Sequence, residues 1–76
     1  MTKTELNGKP AVKINCKRVV WGNTSKAILF KIGEHEKWVP LSVSRFDKSE
    51  NYNGVGDIPG TLVVEEWFYN KFLKNL

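Results

Sequence analysis

The sequence predicts a small, mainly β domain finished by one C-terminal α-helix. Three observations lead there. From Val12 onward apolar and polar residues alternate, turn-forming residues twice interrupt short apolar runs, and helical spacing emerges only after Glu65. A chain of 76 residues that is 41% hydrophobic, 12% aromatic and 26% charged has core material for one domain and is too apolar for a disordered tail. Its single cysteine excludes a disulfide framework. No apolar run approaches the roughly 20 residues that a spanning helix needs, and the first ten residues hold no signal-peptide core. The expectation is a reduced, cytoplasmic protein that makes no use of a membrane.

Residues 1–10 show no period, and Asn7-Gly8-Lys9-Pro10 is turn chemistry. They are expected to be a flexible N-terminus, with the domain occupying 11–76. Val12, Ile14 and Cys16 then face one way, with Lys13, Asn15 and Lys17 facing the other, which is the pattern of a half-buried strand. Arg18 breaks the alternation before Val19-Val20-Trp21, predicting a bulge near Lys17-Arg18. Gly22-Asn23-Thr24-Ser25 is a hairpin signal, and residues 26–32 read as a central strand. After a second turn at 33–36, residues 37–43 read as a third strand, with Pro40 at an edge because it lacks an amide donor.

Residues 44–60 have no lasting period and are expected to form a long loop, of the kind that is functional or mobile. A fourth strand at 61–64 leads into helical spacing, with Phe68, Phe72 and Leu76 as the inward stripe. Glu65 and Glu66 at the start of this helix and Lys71 and Lys74 near its end complement its dipole. The order is β-β-β-loop-β-α. Four short strands and one helix bury their apolar faces most economically in a bent sheet, so the expected architecture is a small SH3-like or OB-like partly open barrel with the helix at one end.

Catalytic and metal-binding constellations are absent from this reading. His35 is the only histidine and sits between Glu34 and Glu36 in a predicted turn, where neighbouring side chains diverge. Cys16 falls on an apolar strand face, as a small buried hydrophobe does. Gly54-Val55-Gly56-Asp57 has the glycines of a phosphate loop but neither its Gly-Lys-Ser/Thr nor a following helix. The protein is therefore expected not to be an enzyme and to need no cofactor or metal.

Charge and aromatic residues carry the functional signal. Residues 1–31 have a net charge of +6 and residues 32–76 a net charge of −2, giving +4 overall. A basic half attracts polyanions, because neutralising phosphates releases condensed counterions. By strand parity Trp38 faces away from Val39, Leu41 and Val43, and Trp21 is close in sequence to Lys17, Arg18 and Lys26. Exposed rings stack unpaired bases at about 1–3 kcal/mol each, while basic side chains follow the backbone. The candidate binding residues are Lys17, Arg18, Trp21, Lys26, Lys31, Trp38 and Arg45, with the 44–60 loop expected to close over the ligand.

The blocks Lys26-Ala-Ile-Leu-Phe-Lys-Ile32, Trp38-Val-Pro-Leu-Ser42 and Gly60-Thr-Leu-Val-Val-Glu-Glu-Trp-Phe68 resemble small β-rich proteins encoded by bacteriophages and prophages. Those proteins share, in this order, a Lys-Ala-x-Leu strand, a Trp-x-Pro-x-Ser strand, and a Gly-x-Leu-x-Val strand before a Trp-led helix. The likeness runs from Lys26 to Leu76, with Glu65 where those proteins often have proline. It implies a compact phage domain in the cytoplasm of a bacterial host and no settled activity. Two functions are compatible with it. One is a module binding nucleic acid, single-stranded in particular. The other is an accessory or anti-defence protein that inhibits a host protein with an acidic surface, using the same Trp and basic residues as interface anchors. Either works as a monomer or as an edge-strand homodimer.

Overall fold

The computed structural model describes residues 2–52 and 54–75. Six strands form one antiparallel sheet: β1 (Thr2–Leu6), β2 (Lys9–Asn23), β3 (Ala27–Ile32), β4 (His35–Pro40), β5 (Ser44–Lys48) and β6 (Ile58–Glu65). The order is β4-β3-β2-β6-β5, with β1 also on β2. Fifteen residues long, β2 serves three partners. One of its edges pairs with β6 from Ala11 to Arg18. The other is shared: β1 pairs as far as Lys13, and β3 takes over from Lys17.

The two edge strands, β4 and β5, are joined by only a 3-10 turn, Leu41–Val43. Five strands laid flat would hold β4 and β5 about 19 Å apart, whereas a 3-10 turn advances about 2 Å per residue. The sheet must therefore curl. Where the edges meet, the Ser44 hydroxyl donates to the Pro40 carbonyl at 2.8 Å. The rings of Phe30 on β3 and Phe46 on β5 lie 5.2 Å apart, although three strand spacings, about 14 Å, separate their strands within the sheet. Elsewhere β4 and β5 do not pair, so the sheet is curled but open, not a closed barrel.

The core fills the inside of the curl. Val12, Phe30, Val39, Leu62 and Val64 come from four strands, and Phe68 and Leu73 from the C-terminal helix. Each such side chain contributes about 1.5–3 kcal/mol by leaving water. Gly60 lets β5 approach β6: a Cβ there would fall on the Asp47 carbonyl and within 2.6 Å of the Phe46 ring.

The structure departs from the sequence reading in several places. The N-terminal segment is not left out of the fold, because Thr2–Leu6 forms β1 and pairs with Lys9–Lys13. Asn7 and Gly8 both take positive φ, 57° and 73°, as a two-residue hairpin turn requires. The third strand stops at Pro40, and Leu41 and Val43 belong to the 3-10 turn. Residues 44–60 are not one loop. They contain β5 and the start of β6, leaving 49–57 as the connection.

The helix also differs. It begins as α at Glu66–Phe68 and widens to a π turn over Tyr69–Leu73, in which the Lys74 amide bonds the Tyr69 carbonyl at 2.8 Å. The wider turn brings Phe68 and Leu73, five residues apart, to the core and leaves Phe72 half exposed. The third residue of the expected stripe, Leu76, lies outside the described residues. No helix among the described residues is long and apolar enough to cross a membrane.

One buried carboxylate ties the ends together. Glu65, 4% exposed at the end of β6, accepts from the Asn7 amide at 3.1 Å and the Trp67 indole at 2.8 Å, with Lys9 Nζ 3.7 Å away. The Asn7 amide also donates to the Ser42 carbonyl, so the β1–β2 turn, the 3-10 turn and the start of the helix share one knot. The bond from Asn7 leads those that hold the Glu65 carboxyl below its ordinary 4.5, followed by the bond from Trp67 and the nearby Lys9 charge.

Two expectations follow. Gly60→Ala should cost about 1–3 kcal/mol by overpacking, lowering the thermal midpoint by roughly 4–8 °C per kcal/mol. The second concerns acid. The stabilisation from ionised Glu65 is complete above its ordinary 4.5 and is lost as pH falls through the lowered native value. Denaturant titrations from neutral pH down to about pH 3 should therefore show a shallower acid-side loss in Glu65→Gln than in the wild type. Parallel curves would mean that the knot carries no proton linkage.

Candidate functional site

Lys13, Asn15 and Lys17 of β2 point away from the core, and cross-strand register extends this outer face in both directions. Lys17 lies opposite Lys31 on β3, Lys31 opposite Glu36 on β4, and Leu29 opposite Trp38. On the other flank Lys13 lies opposite Val63, which lies opposite Arg45. Asn15 lies opposite Thr61, which lies opposite Asp47. Val63 is fully buried between Lys13 and Arg45 in this row, the cover that long basic stems give an apolar side chain.

Lys17 and Lys31 are directly opposed like charges, an arrangement that destabilises a sheet by a few tenths of a kcal/mol or more. Among the described residues no carboxylate lies within 4.0 Å of Lys13, Lys17 or Lys31; the ion pairs are Lys3–Glu66, Lys9–Glu65 and Arg45–Asp47. Trp38 is 48% exposed one strand from Lys31. Beside Lys17 a shallow depression of about 600 Å³ runs over Asn15, Thr61, Pro59 and Asp47. Asn15 and Thr61 share a 3.3 Å hydrogen bond on its floor.

The candidate residues thus divide. Lys17, Lys31 and Trp38 share the outer face, as strand parity predicts. Arg45 is on that face too, but on the far edge strand and paired with Asp47 at 3.3 Å. Arg18 does not belong with them. It continues the Val12, Ile14, Cys16 series and lies on the inner face opposite Phe30, half buried. Trp21, 72% exposed, sits in the bulged stretch between Arg18 and Asn23, where β2 loses register with β3. Lys26 lies in the turn before β3, where its carbonyl accepts from the Leu41 amide at 2.8 Å. In the connection after β5, Ser49 lines the depression beside Lys17. Asp57 in the same connection takes the Val20 amide at 3.5 Å, at the end of β2. Lys13, absent from the candidates, joins Lys17 by the same alternation that placed Asn15 outward.

A comparison with protein-family models, with curated proteins and with solved structures finds no match to this chain.

Nucleophiles and metal ligands are not gathered here. Among the described residues no three His, Cys, Asp or Glu side chains cluster as metal ligands. His35 opens β4 as an exposed residue. Burial pushes the Cys16 thiol up to about 11, with a bond to the Leu62 backbone opposing the shift. Relative to an ordinary thiol at 9.0, this leaves about a hundredfold less thiolate near pH 8. Iodoacetamide should accordingly label the native protein about a hundredfold more slowly than the denatured protein. Equal rates would show Cys16 to be open to solvent.

Proposed function

We propose that the chain is a non-enzymatic binding module of the phage type it resembles, engaging single-stranded nucleic acid through the outer face of β2, β3 and β4. The observation that carries this reading is the opposed pair Lys17–Lys31, one strand from the exposed ring of Trp38, with no carboxylate within 4.0 Å of either lysine among the described residues, although Glu36 stands cross-strand from Lys31. A sheet that accepts cross-strand repulsion on its surface gains when an anion neutralises it. Lys13 and Lys17, four residues apart on one strand, extend the basic row by about 13 Å, enough to follow a backbone past Trp38. The ring stacks an unpaired base of any sequence, which favours a single strand over a duplex. A curled, partly barrel-like sheet used this way would work as OB-like and SH3-like domains do, in the cytoplasm of a bacterial host. The strands with one partner among the described residues, β1, β4 and β5, are short and carry charges or proline, which supports a monomer.

A second reading rests on a different surface. Val20 and Trp21 are adjacent and exposed, 54% and 72%, on the bulged end of β2. An apolar anchor beside Arg18 and Lys17 suits an acidic host protein, which the module would block.

Anisotropy of a labelled mixed-sequence oligonucleotide separates the two. Three lysine–phosphate contacts predict a log–log salt slope of about −2. Lys17→Glu with Lys31→Glu should weaken binding on the order of a hundredfold while the circular dichroism spectrum is retained. A slope near zero, or unchanged affinity in the double variant, would refute the nucleic-acid reading.

A further inference from the structure

On the edge of β2 shared by β1 and β3, the pairing is interrupted between the two strands. Pairing with β1 reaches Lys13 and pairing with β3 starts at Lys17, so Ile14, Asn15 and Cys16 have no strand partner on that edge among the described residues. A cleft of about 750 Å³ opens there, within the roughly 300–1,000 Å³ range of small-molecule sites. Thr2 bounds it on one side and the Ile32–His35 turn on the other. Tyr69, Leu73 and Lys74 close it from the helix. These three share a wall because the π turn sets residues four and five apart above one another.

The lining combines two chemistries. Ile14, Ile32, Leu73 and the half-buried Tyr69 ring make an apolar slot with one aromatic wall. At its margins stand Lys13 and Lys74, both exposed and neither within 4.0 Å of a carboxylate among the described residues. Glu34 is the acid that lines the cleft, and Asn15 and Thr61 add neutral hydrogen-bonding groups. An apolar slot between two cations selects a flat ring that bears a compact anion.

We propose that this cleft binds a nucleoside monophosphate unit, its base against Tyr69 and its phosphate between Lys13 and Lys74. Two sources supply that chemistry: a free mononucleotide, or the phosphorylated end of a strand lying on the outer face. The second source rests on the function proposed above, with Lys13 common to cleft and face.

The test is amide NMR of the intact chain titrated with adenosine 5′-monophosphate and, separately, with adenosine. The monophosphate should move the Ile14, Asn15, Gly33 and Glu34 signals saturably, with adenosine about tenfold weaker. Lys13→Gln with Lys74→Gln should bring the monophosphate down to the adenosine level while signals far from the cleft stay in place. Tighter binding of a 5′-phosphorylated oligonucleotide than of its 5′-hydroxyl counterpart assigns the cleft to a strand end, and equal binding assigns it to the free nucleotide. Lys17→Glu with Lys31→Glu, which empties the outer face, should leave the monophosphate shifts intact, so loss of strand binding is distinguishable from loss of the cleft. No saturable shift at these amides, or equal shifts from the two probes in wild type and lysine variant alike, overturns the proposal.

Discussion

Three residues, Leu41–Val43, join the two edges of a five-strand-wide sheet, and the rest of the architecture follows from that short tie. Because the edges cannot stay about 19 Å apart, the inner faces of β3 and β5 meet, and Phe30 packs on Phe46 across the curl. An inside so nearly closed by strands needs little from the helix, which contributes Phe68 and Leu73 to the core. The inner core is thereby enclosed, and the outer face of β2 and β3 carries Lys13, Lys17 and Lys31 together with the buried Leu29.

A sheet bent this sharply needs one strand long enough to turn the corner. That strand is β2, whose register with β3 slips between Arg18 and Asn23. The slip has consequences on both sides of the sheet. It lifts Val20 and Trp21 into solvent, and Arg18, just before it, closes the inner series beside Phe30. At the other end of β2, the Glu65 knot fastens the β1–β2 turn and the 3-10 turn to the start of the helix. The length of β2 also produces the cleft, since two short strands sharing one long edge leave a gap between them.

Much of this was legible in the sequence wherever a strand has one apolar and one polar side. The alternation from Val12 to Lys17 placed Lys17 outward, and the same parity placed Trp38 outward opposite Leu29. A bulge was expected near Lys17-Arg18, but both residues keep register with β3 and the shift falls between Arg18 and Asn23. Strands β1 and β5 were not legible, and the reason is physical. Thr2–Leu6 has a single apolar residue, Leu6, and Ser44–Lys48 a single one, Phe46, so neither shows a period; pairing with neighbours holds them, not burial of a face of their own. The Asn7-Gly8 turn was the available signal for β1, since such a pair implies a strand on each side. Arg18 was grouped with Lys17 by nearness in sequence, although adjacent strand residues face opposite ways. The π turn had no signature in the spacing, where Phe72 fits an α stripe as well as Leu73 fits the wider one.

On the proposed function, Trp38 stands in a basic face that takes unpaired bases. The most direct measurement is fluorine NMR of protein labelled with 5-fluorotryptophan, titrated with a single-stranded oligonucleotide at low salt and then returned to high salt. The account predicts a saturable shift of the Trp38 signal that salt reverses, with Trp67 unmoved at its bond to Glu65. A Trp38 signal that stays in place while the oligonucleotide binds, or no binding by the folded protein at low salt, would contradict it.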